Sequence, residues 1–477
     1  MRIPALALLI VGLSLASAEA EEGRRPNIVL IVADDLGYGE TGAQGNDQIP
    51  TPHIDALATR GLRCTSAYVT ASFCAPSRAG LLTGRYQTRF GCESNPVGAK
   101  NDEPGIGLPP AEWTLAERLR GAGYATALVG KWHLGGTAPY HPQRQGFDEF
   151  FGFLHEGHFY VPPPYRGVMS HLRRRTLPTG AREGKWTSPG GDLILATGSP
   201  FDEPPYDANN PILRSSQPVA EETYLTDAFT REAVDFVKRS HDRPFFLLVA
   251  YSAVHSPMQA RRDDLDECRG IDDPQRQIFA GMLRALDRGV GAIQAAVAEA
   301  GLERETLFVF LSDHGGPTQE LTSSNGPLRG GKGDLYEGGV RVPCLLRWDG
   351  QLPAGGTYAK VVSSLDLVPT ALAAAKVSGA EGPVLDGVDL LPYLRGERNE
   401  SPHETLYWRM KPKAALRHGD WKLVRPAVAK SAAWELYDLQ RDLGERRNLA
   451  AEQPEVVADL VRRWETLDRE MQGSAND

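Results

Sequence analysis

The 477-residue sequence has little cysteine, no excess of basic charge and no long apolar segment beyond its N-terminus. Five cysteines are too few for a disulfide scaffold, and the lack of any CxxC pair argues against a thiolate zinc site. Asp and Glu outnumber Lys and Arg by 61 to 52, and this net charge of -9 argues against a nucleic-acid partner. No later stretch approaches the roughly 18 apolar residues of a membrane span.

The first twenty residues have the composition of a secretory signal. One arginine precedes an apolar run, and small residues at alternating positions follow it. We expect cleavage after Ala18 or Ala20 and an exported protein without a membrane span, in a periplasm, the medium or an endomembrane lumen. Export permits disulfides, but spacing does not decide whether any form among the cysteines other than Cys74, which are Cys64, Cys92, Cys268 and Cys344.

Short apolar runs alternate with helical patterns through most of the chain. The runs, each followed by a polar cluster, are residues 27–32, 125–130, 245–251 and 307–311. They are typical of strands buried on both faces. The helical patterns cover residues 51–61, 114–119, 225–237 and 278–300. We therefore predict an α/β fold with a large, mostly parallel central sheet flanked by helices, and ligands at the carboxyl ends of its strands.

The remaining segments predict loops and a smaller sheet. Periodicity fades over residues 154–220, which we expect to form long ordered loops, either a solvated insertion or a substrate-binding rim. Strand-like pieces follow at residues 405–408, 414–417, 421–424 and 434–438, with a helix at 454–471. The predicted divisions are a signal peptide (1–20), a catalytic α/β domain (21–398) and a C-terminal antiparallel sheet with a helix (399–477).

Acidic residues follow two of the predicted strands. Asp34 and Asp35 follow the first, and Asp313 and His314 follow the last. Adjacent carboxylates in a cleft repel each other unless a cation neutralises them. An Asp-Asp pair alone is also common in turns and helix caps, but two such clusters at equivalent strand ends indicate a divalent metal, and oxygen ligands suit Ca²⁺ or Mg²⁺.

We expect four basic residues to face the same cleft: Lys131, His133, His255 and Lys332. Together they could bind a tetrahedral oxyanion and transfer protons, although a single strand-end histidine is often structural. Cys74 lies at or just before the N-terminus of a predicted helix, where an anion is favoured. It could be a thiolate nucleophile or an inert buried cysteine.

A set of ordered motifs resembles the type I sulfatases, a formylglycine-dependent family of the alkaline phosphatase superfamily. The signature CAPSR at residues 74–78 continues as LTGR at 82–85. The other similar motifs, in the family's order, are ADDLG (33–37), GKWHLG (130–135), HSP (255–257), SDHG (312–315), LRGGK (328–332) and ELYDL (435–439). The resemblance spans nearly the whole mature chain and implies the alkaline-phosphatase-like sulfatase fold.

The resemblance implies that a sulfatase-maturing enzyme oxidises Cys74 to Cα-formylglycine. The hydrate would bind Ca²⁺, with Mg²⁺ the weaker candidate, and attack sulfur. The implied metal ligands are Asp34, Asp35, Asp313, His314 and residue 74, and many relatives have asparagine where this chain has His314.

Roles for the other motif residues follow from the same resemblance. Lys131 and Lys332 would bind the sulfate oxygens, and His255, helped by Lys332, would assist the leaving alcohol. His133 would deprotonate the second hydroxyl of the hydrate, and Arg78 would orient the hydrate.

The expected function is therefore exported sulfate-ester hydrolysis of a sulfated carbohydrate or aryl sulfate. The alternatives are a phosphate or phosphonate monoester hydrolase of the same superfamily, and an unmodified protein that binds sulfated glycans. Candidate rim residues, which could equally be solvated surface, are Glu93, His155, His158, Arg173, Arg174 and Arg175.

Overall fold

A ten-stranded sheet forms the centre of the computed structural model, which describes residues 25–198, 202–206, 209–240, 243–377, 382–426 and 433–473. The predicted signal peptide lies outside these residues. Their strands are β1 (Asn27–Ala33), β2 (Leu62–Cys64), β3 (Ala67–Tyr68), β4 (Ala125–Lys131), β5 (Glu149–Phe153), β6 (Val168–Arg173), β7 (Lys185–Thr187), β8 (Leu193–Ala196), β9 (Leu213–Arg214), β10 (Gln217–Pro218), β11 (Phe245–Ala250), β12 (Met258–Arg261), β13 (Thr306–Ser312), β14 (Cys344–Arg347), β15 (Gly356–Tyr358), β16 (Val362–Ser363), β17 (Thr405–Met410), β18 (Lys413–His418), β19 (Trp421–Arg425) and β20 (Glu435–Asp438).

Helices of the described residues cover both faces of this sheet and the C-terminus. They are α1 (Pro52–Thr59), α2 (Cys74–Thr83), α3 (Leu115–Gly121), α4 (Leu225–Ser240), α5 (Arg262–Asp266), α6 (Pro274–Glu299), α7 (Thr318–Leu321), α8 (Glu337–Val340), α9 (Leu367–Ala374), α10 (Leu391–Leu394) and α11 (Pro454–Gly473). Within the described part of the chain, none of them has both the length and the apolar character of a membrane span.

The central strands of the large sheet are parallel. The strand order is β10-β9-β5-β4-β11-β1-β13-β14-β2-β15. From β5 to β13 every neighbouring pair is parallel, whereas β14 and β9 pair antiparallel with the ends of this block. The four apolar runs of the sequence are β1, β4, β11 and β13, so the predicted mostly parallel sheet is confirmed.

Strand β1 shows why apolar side chains occupy consecutive positions in these runs. Val29 and Ile31 pack into the core cluster that includes residues of α4 and α6. Ile28 and Leu30 point to the opposite face and pack with residues of α2 and α3. Since helices cover both faces, no position along the strand contacts water, and the side chains do not alternate between apolar and polar.

The expectation of loops over residues 154–220 is wrong in part. Strands β6, β7 and β8 lie in this segment and form a second sheet with β12, in the order β12-β6-β8-β7. The pairing gives no local signal, because β12 follows β6 by more than eighty residues and β6 pairs with β8 in parallel rather than in a hairpin. This sheet carries Arg173, a candidate rim residue, at the end of β6.

The C-terminal prediction is confirmed. Strands β17 to β20 form an antiparallel sheet in sequence order, and α11 packs against it. Buried Leu416 and Trp464 belong to their common core. The other face packs toward the catalytic region, where Lys422 Nζ lies 2.8 Å from Glu337 Oε1.

Candidate active site

The carboxyl ends of the parallel strands bring together residues that are far apart in sequence. Asp34 follows β1, Lys131 ends β4, His255 lies five residues beyond β11, and Asp313 follows β13. Parallel strands have their carboxyl ends at one edge of a sheet, so the topology alone gathers these side chains. All four residues are buried. Of the predicted cleft residues, Lys131 pairs with Asp34, and His255 and Lys332 pair with Asp35.

Cys74 is the first residue of α2, as predicted, and its side chain reaches this edge of the sheet. Its Sγ lies 3.1 Å from His314 Nε2 and 3.7 Å from Asp34 Oδ1. The residue is only 1% exposed. Burial raises the pKa of the Cys74 thiol, but Lys131 and Lys332 outweigh burial and bring it below its ordinary value. Residue 74 therefore lies where the protein stabilises negative charge.

Four residues of this site could hold a metal ion. One ligand atom from each of Asp34, Asp35, Cys74 and His314 lies within 4.8 Å of the other three. Asp313 lies beside the group, with Oδ1 3.5 Å from His314 Nε2. A cluster of buried carboxylates requires compensating positive charge, and the oxygen-rich donors fit Ca²⁺ or Mg²⁺.

The hydrogen bonds of His314 also fit metal binding. Its Nδ1 lies 3.0 Å from the carbonyl oxygen of Gly315, which can only accept, so Nδ1 carries the proton. Burial lowers the pKa of His314, but Asp313 and Cys74 outweigh burial and raise it to about 9, so Nε2 also holds a proton that a bound metal would displace. A second hydrogen bond that fixes the tautomer in this way is typical of metal-binding histidines.

Burial and neighbouring charges give Asp34 and Asp35 opposite pKa shifts. Burial raises the pKa of Asp34, but Lys131 and His255 outweigh burial and bring it well below its usual range. Lys131 Nζ lies 2.6 Å from Asp34 Oδ2. Burial raises the pKa of Asp35 to about 7, although Lys332 Nζ is 2.8 Å from its Oδ1. Asp35 is therefore about half protonated near pH 7, and it loses its proton more readily when further positive charge approaches it.

His133 and His255 have opposite tautomers. His133 Nε2 lies 2.9 Å from the carbonyl oxygen of Pro96, so Nε2 carries the proton, and Nδ1 is buried without a hydrogen-bond partner. His255 Nδ1 lies 2.6 Å from the carbonyl oxygen of Ser256, so its Nε2 is the free acceptor, 3.7 Å from Asp35 Oδ2. Burial lowers the pKa of His133 to about 3 and that of His255 well below its usual value. Both histidines are neutral and can accept a proton.

Arg78 contacts the carboxylates and a strand end rather than solvent. Its Nη2 lies 2.9 Å from Asp313 Oδ2 and 3.4 Å from Asp34 Oδ2, and Nη1 donates to the carbonyl oxygen of Lys131. Its side chain is 4% exposed. Arg78 therefore fixes the relative positions of β1, β4 and β13 at the site.

The backbone at two site residues is strained. Asp35 and His133 have positive φ angles of 64° and 57°. For residues other than glycine this conformation costs on the order of 1–3 kcal/mol and persists where the surrounding structure imposes it. In both cases the chain turns sharply just after a buried strand. This turn directs the side chain into the site.

The predicted rim residues have different surroundings. Most of them have partners elsewhere: Glu93 with Arg409, His155 with Asp102, His158 with the carbonyl oxygen of Phe159, Arg174 with the carbonyl oxygen of Arg173, and Arg175 with Asp202. His155 lines a cleft of about 220 Å³ and His158 one of about 340 Å³. Arg173 reaches the catalytic edge, where its Nη2 donates to Ser256 Oγ at 3.0 Å.

Sequence reasoning missed Glu203, Ser256 and Glu320, the partners of Arg173. Glu320 lies in α7, between the motifs that contain Asp313 and Lys332. It also lines a cleft of about 580 Å³ that begins at Lys332. Its position between two site motifs was the only available signal.

Buried carboxylates, lysines and histidines surround residue 74, and together they offer the groups that a metal ion and a tetrahedral oxyanion require. The Sulfatase family profile matches residues 26–377, and the profile described as N-sulphoglucosamine sulphohydrolase, C-terminal, matches residues 331–470. The chain belongs to the sulfatase family and is a sulfuric ester hydrolase.

Individual relatives agree with this membership. Steryl-sulfatase of Mus musculus is 36% identical, with 84% of this chain and 70% of that protein covered. Arylsulfatase A of Homo sapiens is 36% identical, with 96% and 90% covered. The crystal structure of Ps i-CgsB in complex with k-i-k-neocarrahexaose has a TM-score of 0.79 at 34% identity and covers 95% of this chain and 94% of that one.

Proposed function

We propose that the protein hydrolyses sulfate esters with residue 74 in its Cα-formylglycine form and a bound Ca²⁺ ion, for which Mg²⁺ is the weaker candidate. The observation that carries this proposal is the position of Cys74 at a helix N-terminus, with His314 Nε2 at 3.1 Å and Lys131 and Lys332 lowering its pKa. When present, the hydrated aldehyde would supply the nucleophilic hydroxyl, and the metal would lower the pKa of that hydroxyl. Asp34, Asp35, Asp313 and His314 would hold the metal.

The lysines of the site would bind the sulfate group. Lys131 and Lys332 lie on the two sides of the carboxylate cluster and pair with Asp34 and Asp35. Once a cation neutralises those carboxylates, both ammonium groups can donate to sulfate oxygens, where buried donors stabilise charge strongly. Arg78 would hold Asp34 and Asp313 in place and thereby orient residue 74.

The two neutral histidines would move protons at opposite sides of the sulfur. His133 has a buried, unpartnered Nδ1 that can accept a proton from a hydroxyl of residue 74. His255 presents Nε2 at the mouth of the site and would act on the oxygen of the departing alcohol. Since Nδ1 of His255 is already committed to Ser256, Nε2 has to carry a proton before it can donate one.

We propose a sulfated carbohydrate or an aryl sulfate as the substrate. The Ps i-CgsB structure contains neocarrahexaose, and arylsulfatase A covers most of the chain. The test compares kcat/KM on para-nitrophenyl sulfate, para-nitrophenyl phosphate and a panel of sulfated sugars. A higher kcat/KM for the phosphate would favour the phosphate monoester alternative. Protein that binds sulfated sugars but cleaves none of these esters would favour the binding alternative.

We further propose export, maturation by a formylglycine-generating enzyme and a division of the mature chain at residues 398 and 399. The N-terminal composition supports export, and the CAPSR motif at residues 74–78 supports maturation. The four-stranded sheet and α11 follow the division point. Sequencing of the mature N-terminus from the native host tests export, because cleavage after Ala18 or Ala20 is the expected result.

A further inference from the structure

A polar cleft leads from Lys332 to the surface. Its volume is about 580 Å³, within the range of small-molecule sites. The lining residues are Pro317, Thr318, Gln319, Glu320, Gly330, Gly331, Lys332 and Asp334. Among them only Pro317 has an apolar side chain larger than hydrogen, so the cleft offers hydrogen bonds and little surface to a flat apolar group such as a steroid.

Among the residues that line the cleft, the carboxylates of Glu320 and Asp334 outnumber the one cation, Lys332. Arg173 forms ion pairs with both Glu203 and Glu320, and its Nη2 lies 2.7 Å from Glu203 Oε1. Two carboxylates that share one guanidinium leave one negative charge uncompensated. Asp334 on the other side is neutralised by Lys413, whose Nζ lies 3.2 Å from Oδ1.

Glu320 lies close enough to the catalytic edge for its charge to act there. Glu320 and Lys332 line the same cleft, and Arg173 pairs with the Glu320 carboxylate. Arg173 also donates to Ser256, the neighbour of His255, so the same ion-pair group adjoins both residues that flank the departing alcohol. The alcohol half of a sulfate ester bound beside Lys332 and His255 would therefore lie in the cleft that Glu320 lines.

We propose that this cleft binds the alcohol half of the substrate and that Glu320 is a specificity-determining residue. Glu320 selects an alcohol half that has several hydroxyl groups and no charge of its own. The substrate is then a neutral sugar with a single sulfate. The inference rests on the proposed sulfatase function and names its substrate class. Carboxylate oxygens accept hydrogen bonds from sugar hydroxyls, whereas a second sulfate or a uronate carboxylate on the same unit is repelled. Lys332, which binds the scissile sulfate, is engaged and does not compensate this repulsion.

The experiment measures kcat/KM of formylglycine-bearing protein on monosulfated neutral hexoses and on the matching hexoses with a second sulfate on the neighbouring carbon. The wild type is expected to prefer the monosulfated sugars by about tenfold or more. Glu320→Gln is expected to reduce that preference about tenfold, and Glu320→Asp, which keeps the charge, to retain it. Glu452→Gln is the matched control, because Glu452 also pairs with an arginine, Arg447, but lies on the exposed C-terminal surface.

Para-nitrophenyl sulfate, which has no second charge, separates the two levels of the argument. All variants should cleave it with similar kcat/KM. If they do, and if the wild type shows no preference among the sugars or Glu320→Gln leaves the preference unchanged, the inference is wrong. The sulfatase function then stands. If fully modified wild-type protein cleaves no sulfate ester, the proposed function fails, and the inference falls with it. The wild-type preference alone decides the matter if Glu320→Gln does not fold.

Discussion

Replacement of Glu445 by glutamine should change how the stability of the protein depends on pH. Glu445 is fully buried beside Glu337 and Lys422, where the C-terminal sheet meets the catalytic region. Lys422 and Tyr68 bind the Glu337 carboxylate, whose pKa falls to about 2 despite burial. Burial and the Glu337 charge raise the pKa of Glu445 to about 8.

The sign of the effect follows from proton binding. An unfolded glutamate loses its proton near 4.5, whereas folded Glu445 retains it up to about 8. Between these values the folded state binds more protons than the unfolded state, so stability falls as pH rises. At about 1.4 kcal/mol per pH unit, the loss over this range is at most about 5 kcal/mol. Glutamine does not titrate and keeps an oxygen for the Glu337 amide, which Glu445 Oε2 accepts at 2.7 Å.

Thermal unfolding of the two proteins in matched buffers from about pH 5 to about pH 8.5 tests this effect. The Tm of Glu445→Gln should approach the wild-type Tm at the acidic end and exceed it by several degrees at the basic end. Glu452→Gln, on the exposed surface, should show no such trend. A Tm difference between Glu445→Gln and the wild type that stays constant across the range would refute the reasoning.

Three further predictions concern the active site. His255→Ala should lower kcat/KM on a sulfated sugar by about 10²–10⁴. The loss should be much smaller on para-nitrophenyl sulfate, because nitrophenolate departs without a proton. Equal losses on the two substrates would show that His255 does not protonate the alcohol. Removal of metal by a chelator should abolish activity and lower Tm, and Ca²⁺ should restore both. Because the pKa of Asp35 is about 7, protons compete with the metal for this carboxylate. Calorimetric titration should therefore show that Ca²⁺ affinity falls below that pH. Constant affinity between about pH 8 and about pH 6 would contradict a ligand role for Asp35.

The sequence predicted the features that local patterns encode. Strand β1, with Val29 and Ile31, has consecutive apolar side chains because both faces of the sheet are buried. Asp34 and Asp313 could be placed together because parallel strands end at one edge of a sheet. The C-terminal strands were readable because consecutive strands pair with each other.

Features formed by distant segments could not be predicted. Strand β6 pairs with β12 far along the chain, and the two carboxylates that pair with Arg173 come from distant segments, Glu203 from a loop and Glu320 from α7. The pairing of Glu445 with the Glu337 cluster likewise depends on packing between the sheet and the catalytic region. Ion pairs of this kind leave no periodic signal, since either partner alone resembles a solvated surface charge.

The cysteines illustrate both cases. Sequence placed Cys74 at a helix N-terminus, where the structure has it. Spacing could not show that Cys64 and Cys344 lie directly opposite each other on β2 and β14. Both are free thiols in the structure, as are Cys92 and Cys268.

Mass spectrometry of the peptide containing residue 74, with kcat measured on the same preparations, tests the central claim most directly. Protein produced with different amounts of a formylglycine-generating enzyme provides a series of modification levels. The proposed mechanism predicts that kcat on a sulfate ester rises in proportion to the fraction of aldehyde at residue 74 and is near zero in Cys74→Ala. Full activity in protein that carries only the unmodified thiol would contradict it.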